Sequence, residues 1–294
     1  VTRLRGEDVS TIPWRLEELD RALVERTGMD LLSLAARAAR TSPAEARRRA
    51  GALRAAVVPV ATGEGIIPGF VEAVCSVLLH LGFDAWVTEE PDVGGFGEAV
   101  GGGADLLLSA DDTRFLALDL RSRRVVDNAW ATARGFVQAL AAAAEHRGRH
   151  LAAQEALVLG LGPVGMHAVR ALCEEGARVC VHDLDARRLA RCAAEEHVRV
   201  ARCLREALST IDYVLDATPS AAIIDAPELR PGTIVSSPGV PHGLTPAALS
   251  RLGTAFIHDE LALGVAVMAV AGSQGGDPSR KPCSRAPAAG LRTG

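Results

Sequence analysis

The sequence predicts an α/β protein built from two units, and three observations carry that expectation. Apolar runs of strand length alternate with helical segments from about Ala55 to Ile257, the pattern of a mainly parallel sheet covered by helices. One strand, Ala156 to Leu159, runs directly into Gly160-Leu161-Gly162-Pro163-Val164-Gly165 and then a helix, the local signature of a Rossmann domain. An alanine-rich run from Asn128 to Glu145 separates the two α/β stretches and reads as a connecting helix with a cleft beside it. An N-terminal helical plus α/β substrate domain and a C-terminal Rossmann domain are therefore expected.

Residues 15 to 40 carry two amphipathic helices, with Leu16, Leu19, Leu23 and Val24 on one face and Leu31, Leu32, Leu34 and Ala35 on the next. Thr27-Gly28 ends the first, and Thr41-Ser42-Pro43 the second. Near Ala55 the period becomes that of strands. Ala56 to Val60 is a buried strand, Thr62-Gly63-Glu64-Gly65 a loop, and Phe70 to Leu81 a helix stopped by Gly82. Ala85 to Thr88, Ala104 to Ser109 and Phe115 to Leu118 supply three further strands. In the second unit, strands fall at 156–159, 178–182, 213–216, 233–236 and 255–257. Beyond Ala271 large apolar residues almost vanish, so 272–294 is expected to be a disordered tail. The boundaries are then 1–127 for the substrate domain, 128–150 for the connecting helix and linker, and 151–271 for the Rossmann domain.

Composition narrows the chemistry. The 294 residues, 48% hydrophobic and 23% charged, suffice for two domains with real cores. A net charge of −4, with arginines interspersed among acids, offers no footprint for nucleic acid. Val1-Thr2-Arg3-Leu4-Arg5 has no apolar core of a signal peptide, and the run Leu261 to Ala271 falls short of the roughly 20 residues that span a bilayer. No membrane association and a cytoplasmic location are the expectations. Six cysteines without a C-x-x-C pair argue for free buried thiols over zinc or redox chemistry. His146 and His150 straddle Gly148 in a polar linker and do not read as a metal site. Lys281 is the single lysine, and it falls in the expected tail. Schiff-base, P-loop and lysine-base mechanisms are thereby excluded, since arginine does not release its proton.

The glycine turn carries the cofactor signal. Gly160 permits the tight turn, Gly162 lets the backbone approach a pyrophosphate at the helix N-terminus, and Gly165 lets helix and strand pack closely. Leu161, Pro163 and Val164 complete the turn, and the next strand ends in Asp183, where a ribose-binding carboxylate belongs. That acid favours NAD over NADP; Arg187 and Arg188, close by, read as solvated face residues. Ala217-Thr218-Pro219 and the turn with Pro238-Gly239 end two later strands and either line the nicotinamide side or simply stiffen their loops.

Three segments of the first unit remain: Val58 to Ile67, Pro91-Asp92-Val93-Gly94-Gly95-Phe96, and Ala110-Asp111-Asp112-Thr113-Arg114-Phe115-Leu116-Ala117. Followed by Asp127-Asn128, the Rossmann turn, Ala217-Thr218-Pro219 and Ser237-Pro238-Gly239, they resemble the PylD family, dehydrogenases of the last step of pyrrolysine biosynthesis. The resemblance runs from about Glu7-Asp8 to Ala269. It implies NAD-dependent oxidation of 3-methyl-D-ornithyl-Nε-L-lysine at its terminal amine carbon, then ring closure with loss of ammonia to give L-pyrrolysine. It also implies a homodimer.

From residues alone, Asp111-Asp112 either caps backbone amides at a strand-to-turn junction or brings negative charge to a cleft; the resemblance favours the cleft. Adjacent carboxylates would raise one another's pKa, making either a candidate proton acceptor. Thr62 and Glu64 suit a substrate carboxylate or ammonium, or a plain helix cap, and Asn128 either bridges substrate and nicotinamide or caps the connecting helix. Leu4, in the segment Leu4 to Asp8, is expected at the substrate under an N-terminal lid. His242 lies on the loop after Pro238-Gly239 but outside the matched pattern. Two other readings stay open: a dehydrogenase for a simpler ornithine-like diamine or other amino acid, and an NAD(H)-sensing protein without turnover.

Overall fold

The fold comes from a computed structural model that describes residues 4–275. A short turn of helix, α1 (Gly6–Val9), leads into α2 (Ile12–Thr27), α3 (Leu31–Ala38) and α4 (Pro43–Ala50). Each boundary has a local cause. Gly28, at φ 74°, turns the chain out of α2 while its N–H donates to the Val24 carbonyl. Asp30 and Ser42 accept the N–H groups of Ser33 and Glu45 and so cap α3 and α4. Leu16 and Leu23 are buried as expected, whereas Val24 is exposed because α2 turns that edge to solvent.

The first sheet comprises β1 (Arg54–Val58), β2 (Asp84–Val87), β3 (Leu106–Ala110), β4 (Phe115–Asp119) and β5 (Arg124–Asp127), with α5 (Phe70–His80) and α6 (Asp92–Gly101) between its early strands. Its order is β2-β1-β3-β4-β5. The expectation of a mainly parallel sheet holds for β2, β1 and β3 only; β3, β4 and β5 form an antiparallel meander. The loop 111–114 is too short for a crossover, so Asp111-Asp112 sits in a hairpin turn, where Ala110 pairs with Phe115.

The connecting helix α7 (Asn128–His146) is capped by Asp127, which accepts the Ala129 N–H at 2.8 Å. The second sheet follows with β6 (Glu155–Leu159), α8 (Pro163–Glu174), β7 (Arg178–His182), α9 (Ala186–Glu196), β8 (Arg199–Val200), α10 (Leu204–Thr210), β9 (Tyr213–Asp216), β10 (Ile234–Ser237), α11 (Pro246–Leu252) and β11 (Phe256–His258). All its pairs are parallel, in the order β11-β10-β9-β6-β7-β8. The strand order reverses at β6 and β9, so their carboxyl ends open a crevice where such sheets take ligands.

The last helix, α12 (Ala262–Gly272), packs on α3, α5, α7, β4 and β5, away from the Rossmann unit with which the sequence grouped it. Every one of its residues is buried, so it is apolar all round and carries no amphipathic period to show which neighbour it joins. Its return closes the cleft between the two sheets. A polar lock holds that junction: Arg134 of α7, 9% exposed, donates to the Ala38 carbonyl and to Glu174 of α8. Gln138 accepts from Arg37 and donates to Glu175.

Of the cysteines, Cys75, Cys180 and Cys192 are buried, while Cys173 and Cys203 are exposed, correcting the expectation of uniform burial. No described helix is long and apolar enough to cross a membrane. Lys281, Cys283 and most of the expected tail lie outside the described residues.

Candidate active site

A cavity of about 790 Å³ lies between the carboxyl ends of the two sheets, large enough for a dinucleotide's reactive end and a second molecule. From the first unit it is lined by Leu4, Thr62, Asp111, Asp112 and Asn128. From the Rossmann unit it takes Gly162, Pro163 and Val164, then Ala217, Thr218 and Pro219, then Pro238 and Gly239. Most of the residues singled out in the sequence therefore meet at one place. Glu64, Gly160, Leu161, Gly165 and Asp183 are not among the lining residues.

The loop bearing Thr62 is tied to the hairpin bearing the acid pair. Asp112 Oδ2 accepts the Glu64 N–H at 2.8 Å, so Glu64 serves the wall through its backbone. Gly63, at φ 76°, makes that approach possible: a Cβ there would lie 2.1 Å from Asp112 Oδ2. Asp111 Oδ1 accepts from the Thr113 N–H, the Thr113 hydroxyl and the Arg114 N–H, each at 2.7 Å. Those bonds, the Thr113 hydroxyl's first, hold the Asp111 carboxyl below its usual range. The idea that the acid pair raises the pKa of Asp111 is thus overturned: in an exposed turn, hydrogen bonds to the charged form outweigh the slight burial of the carboxyl. Asp111 is a standing negative charge, a poor proton acceptor.

Behind the glycine turn, Gly165 packs so close that a Cβ would lie 1.8 Å from the Gly160 carbonyl oxygen. Gly160 adopts φ 81°, and Gly162 is the N-cap of α8. Such a cradle, with backbone N–H groups at a helix start, fits a pyrophosphate. Asp183 ends β7 beside it, accepting the Leu161 N–H at 2.5 Å and the Asp185 N–H at 2.7 Å. Arg187 and Arg188 are both exposed, as expected of solvated face residues, and Arg188 also reaches the cavity wall.

Three further residues complete the site: Asp216, which begins the segment with Ala217-Thr218-Pro219 at a strand end, and Asp259 and His167, which the sequence did not mark. Asp216 is fully buried at the end of β9; its carboxylate accepts from Thr218 Oγ1 at 2.7 Å, Ser237 Oγ at 3.1 Å and the Gly243 N–H at 2.8 Å. It fixes the loop after β9 to the end of β10 and the loop that follows it. Asp259, one residue past β11, lines the cavity yet is only 6% exposed. Burial pushes its carboxyl up to about 6, reinforced by Glu260 and opposed by the N–H groups of Leu263 and Ala262 and by His258. An acid at a strand end was the available signal for it. His167 of α8 also lines the cavity, its imidazole pushed down by burial and by Arg170.

His242 stands off the cavity wall, its ring packed edge-on against Phe256 and His258, so its loop position does not bring it to the reacting groups. Among the described residues no group of three His, Cys, Asp or Glu side chains could hold a metal ion.

Comparison with known proteins matches this architecture. The family described as pyrrolysine biosynthesis protein PylD, N-terminal domain, matches residues 8–126. The pyrrolysine synthase of Methanosarcina barkeri is 30% identical over 267 residues, spanning 90% of this chain and 95% of that protein. The chain belongs to the PylD family. The pyrrolysine synthase of Methanosarcina acetivorans is 29% identical over 267 residues, spanning 90% of this chain and 97% of its own. Among solved structures, shikimate 5-dehydrogenase from Thermus thermophilus, in complex with NADP(H) and shikimate, shares the fold at 19% identity and a TM-score of 0.50, over 76% of this chain and 94% of that one. For a PylD-family member, the glycine cradle and the acid pair therefore face each other across one cavity.

Proposed function

We propose that this PylD-family protein is an NAD-dependent dehydrogenase that oxidises 3-methyl-D-ornithyl-Nε-L-lysine at the terminal amine carbon and closes the ring to L-pyrrolysine. One observation carries the reading: a single cavity joins the dinucleotide cradle of one sheet to a set of carboxylates that includes Asp111, Asp112 and Asp259. A substrate with several ammonium groups needs that charge.

Asp111 and Asp112 hold an ammonium group of the substrate, and Thr62 and Asn128 position its polar groups. Gly160 through Gly165 and Asp183 hold the pyrophosphate and ribose, and the loops with Ala217-Thr218-Pro219 and Pro238-Gly239 seat the nicotinamide. When bound, NAD accepts the hydride. Asp259, with its raised carboxyl, takes the proton that leaves the terminal ammonium, in the role first considered for the hairpin acids. Leu4 and α1 lie over the substrate as a lid; Val9 is fully buried, and Gly6 and Gly69 let α1 lie close to the chain before α5. Ring closure then needs little beyond confinement, since intramolecular attack has effective molarities of order 10⁵ M.

Asp183 favours NAD, and Arg188 on the wall makes the preference over NADP worth measuring. The enzyme acts in the cytoplasm and, as the resemblance implies, as a homodimer. The test is substrate competition: NADH absorbance with the lysine-linked methylornithine, and none with free ornithine, supports the reading. Turnover on ornithine alone would favour a simpler diamine dehydrogenase, and binding without turnover a sensor.

A further inference from the structure

We propose that Glu260 and His258 form a relay that carries protons released in the cavity to solvent, His258 acting through Glu260. The relay rests on the dehydrogenase reading. In that reaction –CH₂–NH₃⁺ loses a proton to Asp259 and a hydride to NAD⁺, leaving –CH=NH₂⁺ and NADH. Attack by the second amine, itself an ammonium at the outset, expels NH₄⁺ and leaves the ring imine. One more proton is then released. Two protons must therefore leave a cavity whose base is nearly sealed from water, and Asp259 Oδ2 is already bound by the Leu263 N–H at 2.7 Å.

Glu260 offers the way out. It lines the cavity, yet its side chain is 35% exposed, so one carboxylate touches both compartments. His258 Nε2 lies 3.8 Å from Glu260 Oε1, within one small side-chain rotation of contact. The other ring nitrogen, Nδ1, lies 2.8 Å from the Ser237 carbonyl, which can only accept. The neutral ring therefore carries its proton on Nδ1 and keeps Nε2 basic. Phe256 stacks on that ring at 5.7 Å and His242 meets it edge-on at 5.1 Å, so the geometry is held from two sides. The titratable groups facing the pair are His242 on the loop after β10, Asp216 beneath it, and Asp259. Burial and the neighbouring His258 push His242 down, which disfavours a charge on His242.

Two variants test the relay. His258→Asn keeps an amide nitrogen for the Ser237 carbonyl but has nothing to titrate; Glu260→Gln keeps the shape of the carboxylate without its charge. In weakly buffered solution each should lower kcat about tenfold, and added imidazole should restore His258→Asn. Protonated His258 holds the Asp259 carboxyl down and Glu260 pushes it up. The acidic limb of kcat/KM should accordingly move to higher pH in His258→Asn and to lower pH in Glu260→Gln; these shifts read the two charges at Asp259, while rescue by imidazole reads the relay itself. Wild-type kcat in both variants, or a loss in His258→Asn that imidazole does not rescue, would overturn the relay alone. A wild-type protein that forms no NADH would overturn the dehydrogenase reading, and the relay with it.

Discussion

Replacing Asp259 with asparagine separates the chemistry of the site from its cost in stability. Burial raises this carboxyl from an ordinary 3.8 to about 6, and the residue is 6% exposed. A rise of that size corresponds to on the order of 3 kcal/mol. Its sign is fixed: the folded state holds the proton more tightly, so the contribution is fully present below about pH 4 and is lost as pH rises through about 6. Asparagine can still accept the Leu263 N–H, bonded at 2.7 Å in the native chain, and has no charge to bury. Relative to wild type, Asp259→Asn should gain on the order of 3 kcal/mol between about pH 4 and pH 7.5, while NADH formation falls about a hundredfold or more. Urea unfolding at the two pH values, paired with initial rates, reads both effects. A stability difference independent of pH would refute the buried-acid account, and full activity would remove Asp259 as the proton acceptor.

Three further outcomes follow from the geometry. Gly165→Ala places a methyl group 1.8 Å from the Gly160 carbonyl oxygen, so the first turn of α8 must move; NAD affinity by calorimetry should fall at least about tenfold, with about 1–3 kcal/mol lost in unfolding. An unchanged Kd would remove the turn from the cofactor site. Asp112→Asn can keep the Glu64 N–H bond and loses only charge, so kcat/KM should fall at least about tenfold; wild-type kinetics would take the acid out of substrate recognition. Arg134→Ala breaks the lock between α3, α7 and α8 and should cost about 1–3 kcal/mol in urea unfolding, discounted because Glu174 is half exposed and also paired with Arg40. An unchanged midpoint would show that the junction rests on apolar packing alone.

The parts of this fold legible in the sequence are those set by local constraint. The turn Gly160 to Gly165 follows from close approaches that only glycine allows, and the buried strands β6, β7 and β9 stand out as short apolar runs. Strand β5 hides because Val125 and Val126 sit amid Arg121, Arg123 and Arg124, a run that reads as a polar turn. Helix α6 contains Gly94, Gly95, Gly97 and Gly101, against every helical propensity. Packing requires at least one of them: a Cβ on Gly95 would lie 2.3 Å from the Glu90 carbonyl oxygen. Asp259 escapes for a different reason. Its burial exists only once α12 folds back onto the first unit, a long-range event that leaves no periodic trace in the residues around it. The place of the acid pair on the cavity wall is legible, but its electrostatics depend on Thr113 and Arg114 closing a turn on Asp111.

The central claim is that one cavity oxidises an amine and closes a ring. Incubating the protein with 3-methyl-D-ornithyl-Nε-L-lysine and NAD, and quantifying NADH, ammonia and pyrrolysine together, tests it most directly. All three should form in equal amounts. NADH without ammonia or pyrrolysine, or no NADH at all, would contradict it.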